Sequence, residues 1–492
     1  MKAIIIGAGV GGMAAASRLS RMGIEVSIYE KRKITGGRLS RLQEKGFRID
    51  RGPTLLLMPH LFKEFFSDIG RNIEDYLELT QLDPVYRMNF DDGSVIEPSA
   101  FRKTMVSTIS KINKEDAKNY CRFISDYQKY YDIAMKEFIM KNFDSPLDMV
   151  TPAGLMSLVS GGAFRDLYSK TGDYFKDRRV RVAFSIQSIY LGERPDSIPS
   201  VYGIIPFVEF TEGVWYPKGG LYSVADALTR VCKEEKIKIN KGKSVKRIII
   251  EKGEAKGIEL EDGKKAYADI VISNVDLPHT YLYLVDEKYR SHMSDKKVKS
   301  LATSCSTFMI YLGIKGKYDI AHHNFILPLD FKETLDSIFK TGGIPEKPGI
   351  YIANPSSHDP TLAPKNHSVI YVLVPVSNLS GKVNWKKAKK AFREKILDSL
   401  SAIGMDDIRE RIVYERIVTP DEWEDEFALE KGATFGLSPT LLQSAAFRPP
   451  NKDPKIKNLY FVGASTHPGS GLPIVILSSK LLEMRIRKDF GV

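Results

Sequence analysis

The chain has 492 residues, 43% hydrophobic and 27% charged, an ordinary balance for a folded protein that excludes a disordered one. Its three cysteines, Cys121, Cys232 and Cys305, are widely spaced and form no CxxC pair, so neither a disulfide framework nor a zinc site is expected. The net charge of +12 comes from Lys and Arg spread among Asp and Glu, which argues against a nucleic-acid module and for attraction to an anionic lipid surface.

The first stretch, MKAIIIGAGVGG, is a short apolar strand that runs directly into a glycine turn and then an Ala-rich helix, MAAASRLSRMG. It has no charged segment ahead of an apolar one, so no signal peptide is expected. In a Rossmann βαβ unit Gly7 makes the tight turn, Gly9 lets a pyrophosphate approach bare backbone, and Gly12 lets helix and strand pack closely. The phosphate charge is then met by the helix N-terminus. A second strand, Glu25 to Tyr29, ends at Glu30, 18 residues past Gly12, where an acidic group accepts the ribose hydroxyls of an adenosine. Next comes KRKITGGR, whose Gly36-Gly37 turn brings backbone to the pyrophosphate again and whose Arg38 offers a planar fork for its oxygens. This pairing points to FAD rather than NAD, and resembles the dinucleotide-binding motif of the flavoproteins that include amine oxidases and carotenoid desaturases.

Residues 46–59, GFRIDRGPTLLLMP, predict a strand, a Gly-Pro turn and an apolar exit, with Gly52, Pro53 and Thr54 near an isoalloxazine. Residues 60–145 carry helical periodicity, with Leu61, Phe65 and Phe66 on one face and a long helix from Asn113 to Met140 that includes Tyr127, Tyr130, Tyr131 and Phe138. With GLMSLVSGGAF at 154–164 and Arg165, Lys170 and Lys176 nearby, this stretch suits a helix pair lying on a bilayer interface. No uncharged apolar run reaches the roughly 18 residues of a spanning helix. A cytoplasmic protein held peripherally at the inner face of the cell membrane is therefore expected.

Residues 195–222, rich in Pro, Gly and aromatics and lacking helical period, predict strands and a shaped apolar surface. A helix and strand follow in GGLYSVADALTRVCKEEKIKI, then a hairpin over 244–263 with an Asp-Gly turn. The strand ADIVISNVD, 268–276, returns the chain to the nucleotide fold, and 303–440 alternate strands (STFMIYLGI, GIYIANPS, SVIYVLVPV) with helices. Strand, glycine turn and helix recur at NLYFVGASTHPGSGLP, so a second helix N-terminus is expected at the ribityl chain or pyrimidine edge of a flavin.

These blocks, together with CSTFMIYLGI (305–314), FGLSPTLLQSAAFRPPN (435–451) and ASTHPGSGLPIVILSSKL, resemble the bacterial carotenoid (phytoene-type) desaturase family over the whole chain, and within it the branch acting on C30 precursors. The AHHNFIL segment, 321–327, resembles the related branch that oxidises a terminal methyl group. The resemblance implies an FAD site at Gly7, Gly9, Gly12, Glu30, Gly36, Gly37 and Arg38, an adenine contact through the Val245 backbone, and Gly463, Gly471 and Leu472 along the ribityl and flavin end. It also implies a long apolar polyene substrate, 4,4′-diapophytoene or a C40 counterpart, dehydrogenated by hydride transfer to flavin. A methyl-oxidising enzyme and a flavin-free carrier of prenyl chains are the alternatives. Glu209, Glu212 and His467 are acid–base candidates by type alone, and no catalytic residue is assigned.

The expected fold is α/β, a discontinuous Rossmann-type domain with an α+β substrate domain. The nucleotide part falls at 1–75, 218–290 and 450–492, the substrate part at 76–120, 191–217 and 291–449, and a helical, membrane-associating segment at 121–190.

Overall fold

A computed structural model describes residues 1–149, 151 and 165–492. Its first sheet is five parallel strands, Lys2–Ile6 (β1), Glu25–Glu30 (β2), Lys238–Lys241 (β3), Ile270–Ser273 (β4) and Leu459–Phe461 (β5), in the order β5-β4-β1-β2-β3. β1 sits at the centre. Ala3 to Ile6 are all buried, the continuous apolar run required of a strand covered on both faces.

Helices α1 (Val10–Arg21), α2 (Tyr222–Glu234) and α3 (Leu472–Phe490) share one apolar core with this sheet. Ala14, Ala15 and Ala16 are at most 1% exposed, and such small side chains let α1 lie close to its neighbours. Arg18 crosses the packed layer, pairing with Asp68 at 2.9 Å and Glu483 at 3.1 Å.

The second sheet has seven strands in the order Ile412–Val418, Ser306–Lys315, His367–Val376, Ile350–Ala353, His323–Leu327, Arg87–Phe90 and Val95–Ile96. Its pairs are antiparallel except that His323–Leu327 lies parallel to Arg87–Phe90. One face packs on the helix Trp385–Ser399, and the other joins the largest core with Lys114–Ala134 and Ile204–Glu212. Among the described residues no helix is long and apolar enough to cross a membrane.

Several expectations are corrected. The helical reading of 60–145 hides the strands Leu79–Leu82, Arg87–Phe90 and Val95–Ile96, which are too short for an alternating pattern; the first two are fixed by distant partners at Val214–Pro217 and His323–Leu327, and the third pairs back on Arg87–Phe90. Within 195–222, IIPFVEFTE is a helix. Pro206 falls in its first turn, where no intrahelical hydrogen bond is lost, and five of its nine residues are buried, which erases the apolar stripe. The Asp262-Gly263 turn joins the second and third strands of a three-stranded meander, Val245–Glu251, Glu254–Leu260 and Lys265–Tyr267, and Lys252-Gly253 joins the first two. The helix Lys114–Ala134, capped by Asn113 Oδ1 accepting from Glu115 N and Asp116 N, runs unbroken across the boundary expected at 120/121.

Tyr127, expected on a bilayer-facing stripe, is fully buried. It stacks on Phe123 at 4.3 Å, and its hydroxyl donates to the Ser200 carbonyl. Arg165 and Lys170 both pair with Asp173, so much of their charge is spent locally. The expected apolar segment 154–164 lies outside the described residues.

Candidate functional site

One cavity of about 900 Å³ runs between the two sheets. The structure brings ten of the eleven expected cofactor residues to its wall: Gly7, Gly9, Glu30, Gly36, Gly37, Arg38, Val245, Gly463, Gly471 and Leu472. Gly12 lies behind them, and a Cβ there would stand 2.3 Å from the Gly7 carbonyl oxygen. Helix α1 therefore sits against the end of β1 as only glycine allows. Gly37, at φ +62°, is pressed against the first turn, since a Cβ on it would lie 3.2 Å from the Gly9 Cα.

The polar end of the cavity is built by backbone. Glu30 is buried, its Oε2 accepting from Ala8 N and its Oε1 from Arg32 N, both at 2.8 Å. Its carboxylate ties the glycine turn to the end of β2 before it meets any ligand. Arg38 donates to Asp276 Oδ1 at 2.9 Å, and Ser465 donates to the same oxygen. That pair holds the guanidinium at the cavity wall.

Three residues that sequence reasoning left without a role complete this end. Asn274, just after β4, accepts from Gly12 N at 2.9 Å and donates to the Val462 carbonyl at 2.9 Å, clamping the first and last glycine-bearing loops together. Its position at the end of the strand ADIVISN was the available signal. Arg51 pairs with Glu426 and lies over the rings of Phe427 and Trp423. Arg448 is buried and donates to the carbonyls of Ala464, Thr466 and Gln443, so a cation faces the cavity held by neutral groups.

Gly52, Pro53 and Thr54 line the cavity where it turns apolar. Beyond them the wall is Leu55, Leu57, Ile186, Ile189, Ile205 and Val208 on one side, with Met309, Phe325, Tyr351 and Leu373 from the second sheet on the other. Tyr131 and Phe138 also face inward.

The acid–base candidates separate. His467 lines the cavity, but its Nε2 is bonded to the Lys141 carbonyl at 2.8 Å and burial pulls its pKa down to about 4, so it is neutral at pH 7. Glu209 is sealed behind the wall, with Tyr86 and Gln187 donating to its Oε2 at 3.2 and 2.9 Å and burial raising its pKa to about 7. Glu212 lies nearer the surface, paired with His60 at 2.9 Å, and is not part of the cavity.

A glycine turn backed by an acidic strand end, and a second helix N-terminus facing it across the same cavity, define a dinucleotide-binding protein of the Rossmann class. The family described as flavin containing amine oxidoreductase matches residues 10–481, and the chain belongs to that family. It is an FAD-dependent oxidoreductase.

Among curated relatives, a zeta-carotene-forming phytoene desaturase of Myxococcus xanthus is 38% identical, with 98% of this chain and 93% of that one covered. A 4,4′-diapophytoene desaturase (4,4′-diapolycopene-forming) of Methylomonas sp is 35% identical over 99% of this chain and 96% of that one. A 4,4′-diapolycopen-4-al dehydrogenase of Metabacillus indicus is 33% identical over 99% and 97%. Among solved structures, an oxidoreductase from Methanosarcina mazei superposes with a TM-score of 0.64 at 19% identity, covering 99% of this chain and 100% of that one, which shows a shared fold.

Proposed function

We propose that the protein dehydrogenates a C30 carotenoid precursor, 4,4′-diapophytoene, within carotenoid biosynthesis. The observation that carries this reading is the continuity of one cavity, with glycine backbone, Glu30 and Arg38 at one end and an almost wholly apolar channel at the other. A wall with so few polar groups cannot reward binding of a polar or charged substrate, whereas burying a hydrocarbon there gains roughly 25 cal/mol per Å². FAD supplies the two-electron acceptor.

The chain's own residues hold, orient and dry the reaction. Glu30 has lone pairs left that would accept from ribose hydroxyls, and the Val245 backbone would border the adenine. Arg38, held by Asp276, would meet the pyrophosphate with Gly36 and Gly37. Gly463, Gly471 and Leu472, leading into α3, would border the ribityl and flavin end. The aliphatic wall keeps water from the polyene.

Supporting a peripheral position on the membrane, Leu147, Leu441, Leu442 and Phe447 are exposed, and the last three also line the cavity. They form an apolar rim at its mouth, suited to taking a hydrocarbon from a lipid surface. Leu442→Asp with Phe447→Asp is expected to reduce co-sedimentation with anionic liposomes several-fold while leaving FAD content unchanged; full retention on liposomes would remove the rim from this role.

The 38% identity to a phytoene desaturase favours a C40 substrate as the second reading. Co-expression with a pathway making dehydrosqualene, and separately with one making phytoene, followed by pigment analysis, tests both. Stepwise lengthening of the conjugated system in the C30 host alone is the expected result. Pigment in the C40 host alone assigns the longer substrate, and an aldehyde product assigns methyl oxidation.

A further inference from the structure

Removing hydrogen from two adjacent carbons releases a hydride and a proton. A bound flavin would supply the acceptor for the hydride and its electron pair. The proton needs its own acceptor, in a channel whose wall is almost entirely hydrocarbon.

The segment AHHNFIL supplies the inner strand His323–Leu327 of the second sheet, and around it the channel wall has a polar seam. The Thr54 and Tyr351 hydroxyls meet at 2.5 Å, and both residues line the channel. The Tyr351 hydroxyl is also 2.7 Å from His323 Nδ1. His323 is 1% exposed, and its Nε2 has no hydrogen-bond partner. Its ring lies edge-on to that of His322 at 4.4 Å, and His322 Nδ1 is 3.1 Å from Nδ1 of His358, which is exposed. A separate cavity of about 20 Å³ is bordered by Thr54, His322, Asp50 and Tyr216, enough for one water.

We propose that Thr54 and Tyr351 take the proton released in the desaturation and that His322 and His358 pass it to solvent, with His323 holding the Tyr351 hydroxyl in place. This rests on the dehydrogenase reading above. In the step, the C–H bond beside the carbon that has lost hydride breaks, its electron pair forms the new C=C bond, and the proton moves to the Thr54–Tyr351 hydroxyl pair. From there it passes through the small cavity beside Thr54 to His322 and on to His358.

The chemistry suits weak bases. Once hydride has left, positive charge spreads over the polyene and makes the neighbouring C–H strongly acidic. A neutral imidazole is then sufficient, and burial keeps His323 neutral by pulling its pKa down to about 3. Glu209 is less well placed, since it lines no part of the channel itself and reaches it only by way of the Tyr190 hydroxyl, its other bonds leading to the buried Tyr86 and Gln187. Thr54 and Tyr351 are thus the catalytic residues of this step. His323 acts through Tyr351 and is a positioning residue.

The test is turnover of 4,4′-diapophytoene in phosphatidylcholine vesicles by the holoenzyme, with FAD content and melting temperature measured on each variant. Tyr351→Phe is expected to lower kcat roughly 100-fold, with KM and FAD content within twofold of wild type. A purely structural loss would move FAD content and melting temperature as well. His323→Gln should fall less than Tyr351→Phe, and both should show a larger solvent deuterium isotope effect on kcat than the wild type. If Tyr351→Phe loses its flavin, the near-isosteric Thr54→Val decides by the same criteria. A kcat within twofold of wild type in both flavin-loaded variants overturns the relay. A wild-type holoenzyme that converts neither the C30 nor the C40 precursor instead overturns the dehydrogenase reading itself.

Discussion

Glu30 shows how a residue chosen for one partner serves two. Its carboxylate already accepts from Ala8 N and Arg32 N, so Glu30→Ala removes the proposed ribose acceptor and also strands two backbone donors near the cavity. Each orphaned donor costs about 1–3 kcal/mol. The apo variant should therefore melt below the apo wild type, and excess FAD should restore only part of the activity. A variant with wild-type apo stability that recovers fully at saturating FAD would mean that the two backbone contacts carry no weight. Asn274 is the sharper case. Asn274→Ala cuts the bonds to Gly12 N and the Val462 carbonyl together, and is expected to cost about 2–4 kcal/mol in chemical denaturation. It should also lower FAD affinity, read by fluorescence titration.

For the elements, the contact that matters most is α1 against β1. Because a Cβ on Gly12 would stand 2.3 Å from a backbone oxygen, relief requires moving the helix, not rotating a side chain. Gly12→Ala should lose about 1–3 kcal/mol of apo stability and bind FAD poorly. Unchanged urea unfolding in the apo form would show that the helix can shift freely. The same scale explains the corrections to the sequence reading. The strands Leu79–Leu82 and Arg87–Phe90 are four residues long and acquire their identity from partners more than a hundred residues away. The helix Ile204–Glu212 exposes only Thr211, so it has no solvent face to betray its period.

Over the whole molecule, the price of an apolar interior is carried most by two desolvated carboxyls. Burial raises Glu209 and Asp50 to pKa values of about 7, although backbone or side-chain donors oppose the shift. Both bind a proton more tightly folded than unfolded, so their contribution to stability is complete below about pH 4 and is lost as pH rises through 7. The protein should melt at a lower temperature at pH 8 than at pH 5. Glu209→Gln should shrink that difference, by an amount on the order of 3 kcal/mol in unfolding free energy. An identical pH dependence in wild type and variant would show that Glu209 is ionised within the fold at neutral pH.

The two glycine turns, Glu30, Arg38 and the strands beside them are legible in the sequence because each is a local event. A short apolar run, a turn requiring glycine and a helix start lie within a dozen residues and obey backbone geometry alone. So are the apolar strands 306–315 and 367–376, whose length and β-branched content leave little choice. Arg448 carries no local signal, and the strand end at Asn274, the Gly52 turn at Thr54 and the AHHNFIL segment mark places in the chain without showing what each side chain meets. Thr54 and Tyr351 are 297 positions apart, and only the packing of the second sheet over the Gly52 turn brings their hydroxyls together. Side-chain hydrogen bonds between distant segments depend on the register of every strand between them. Tertiary structure alone therefore decided where the polar seam meets the apolar channel, and the sequence alone decided that a dinucleotide would lie beside it.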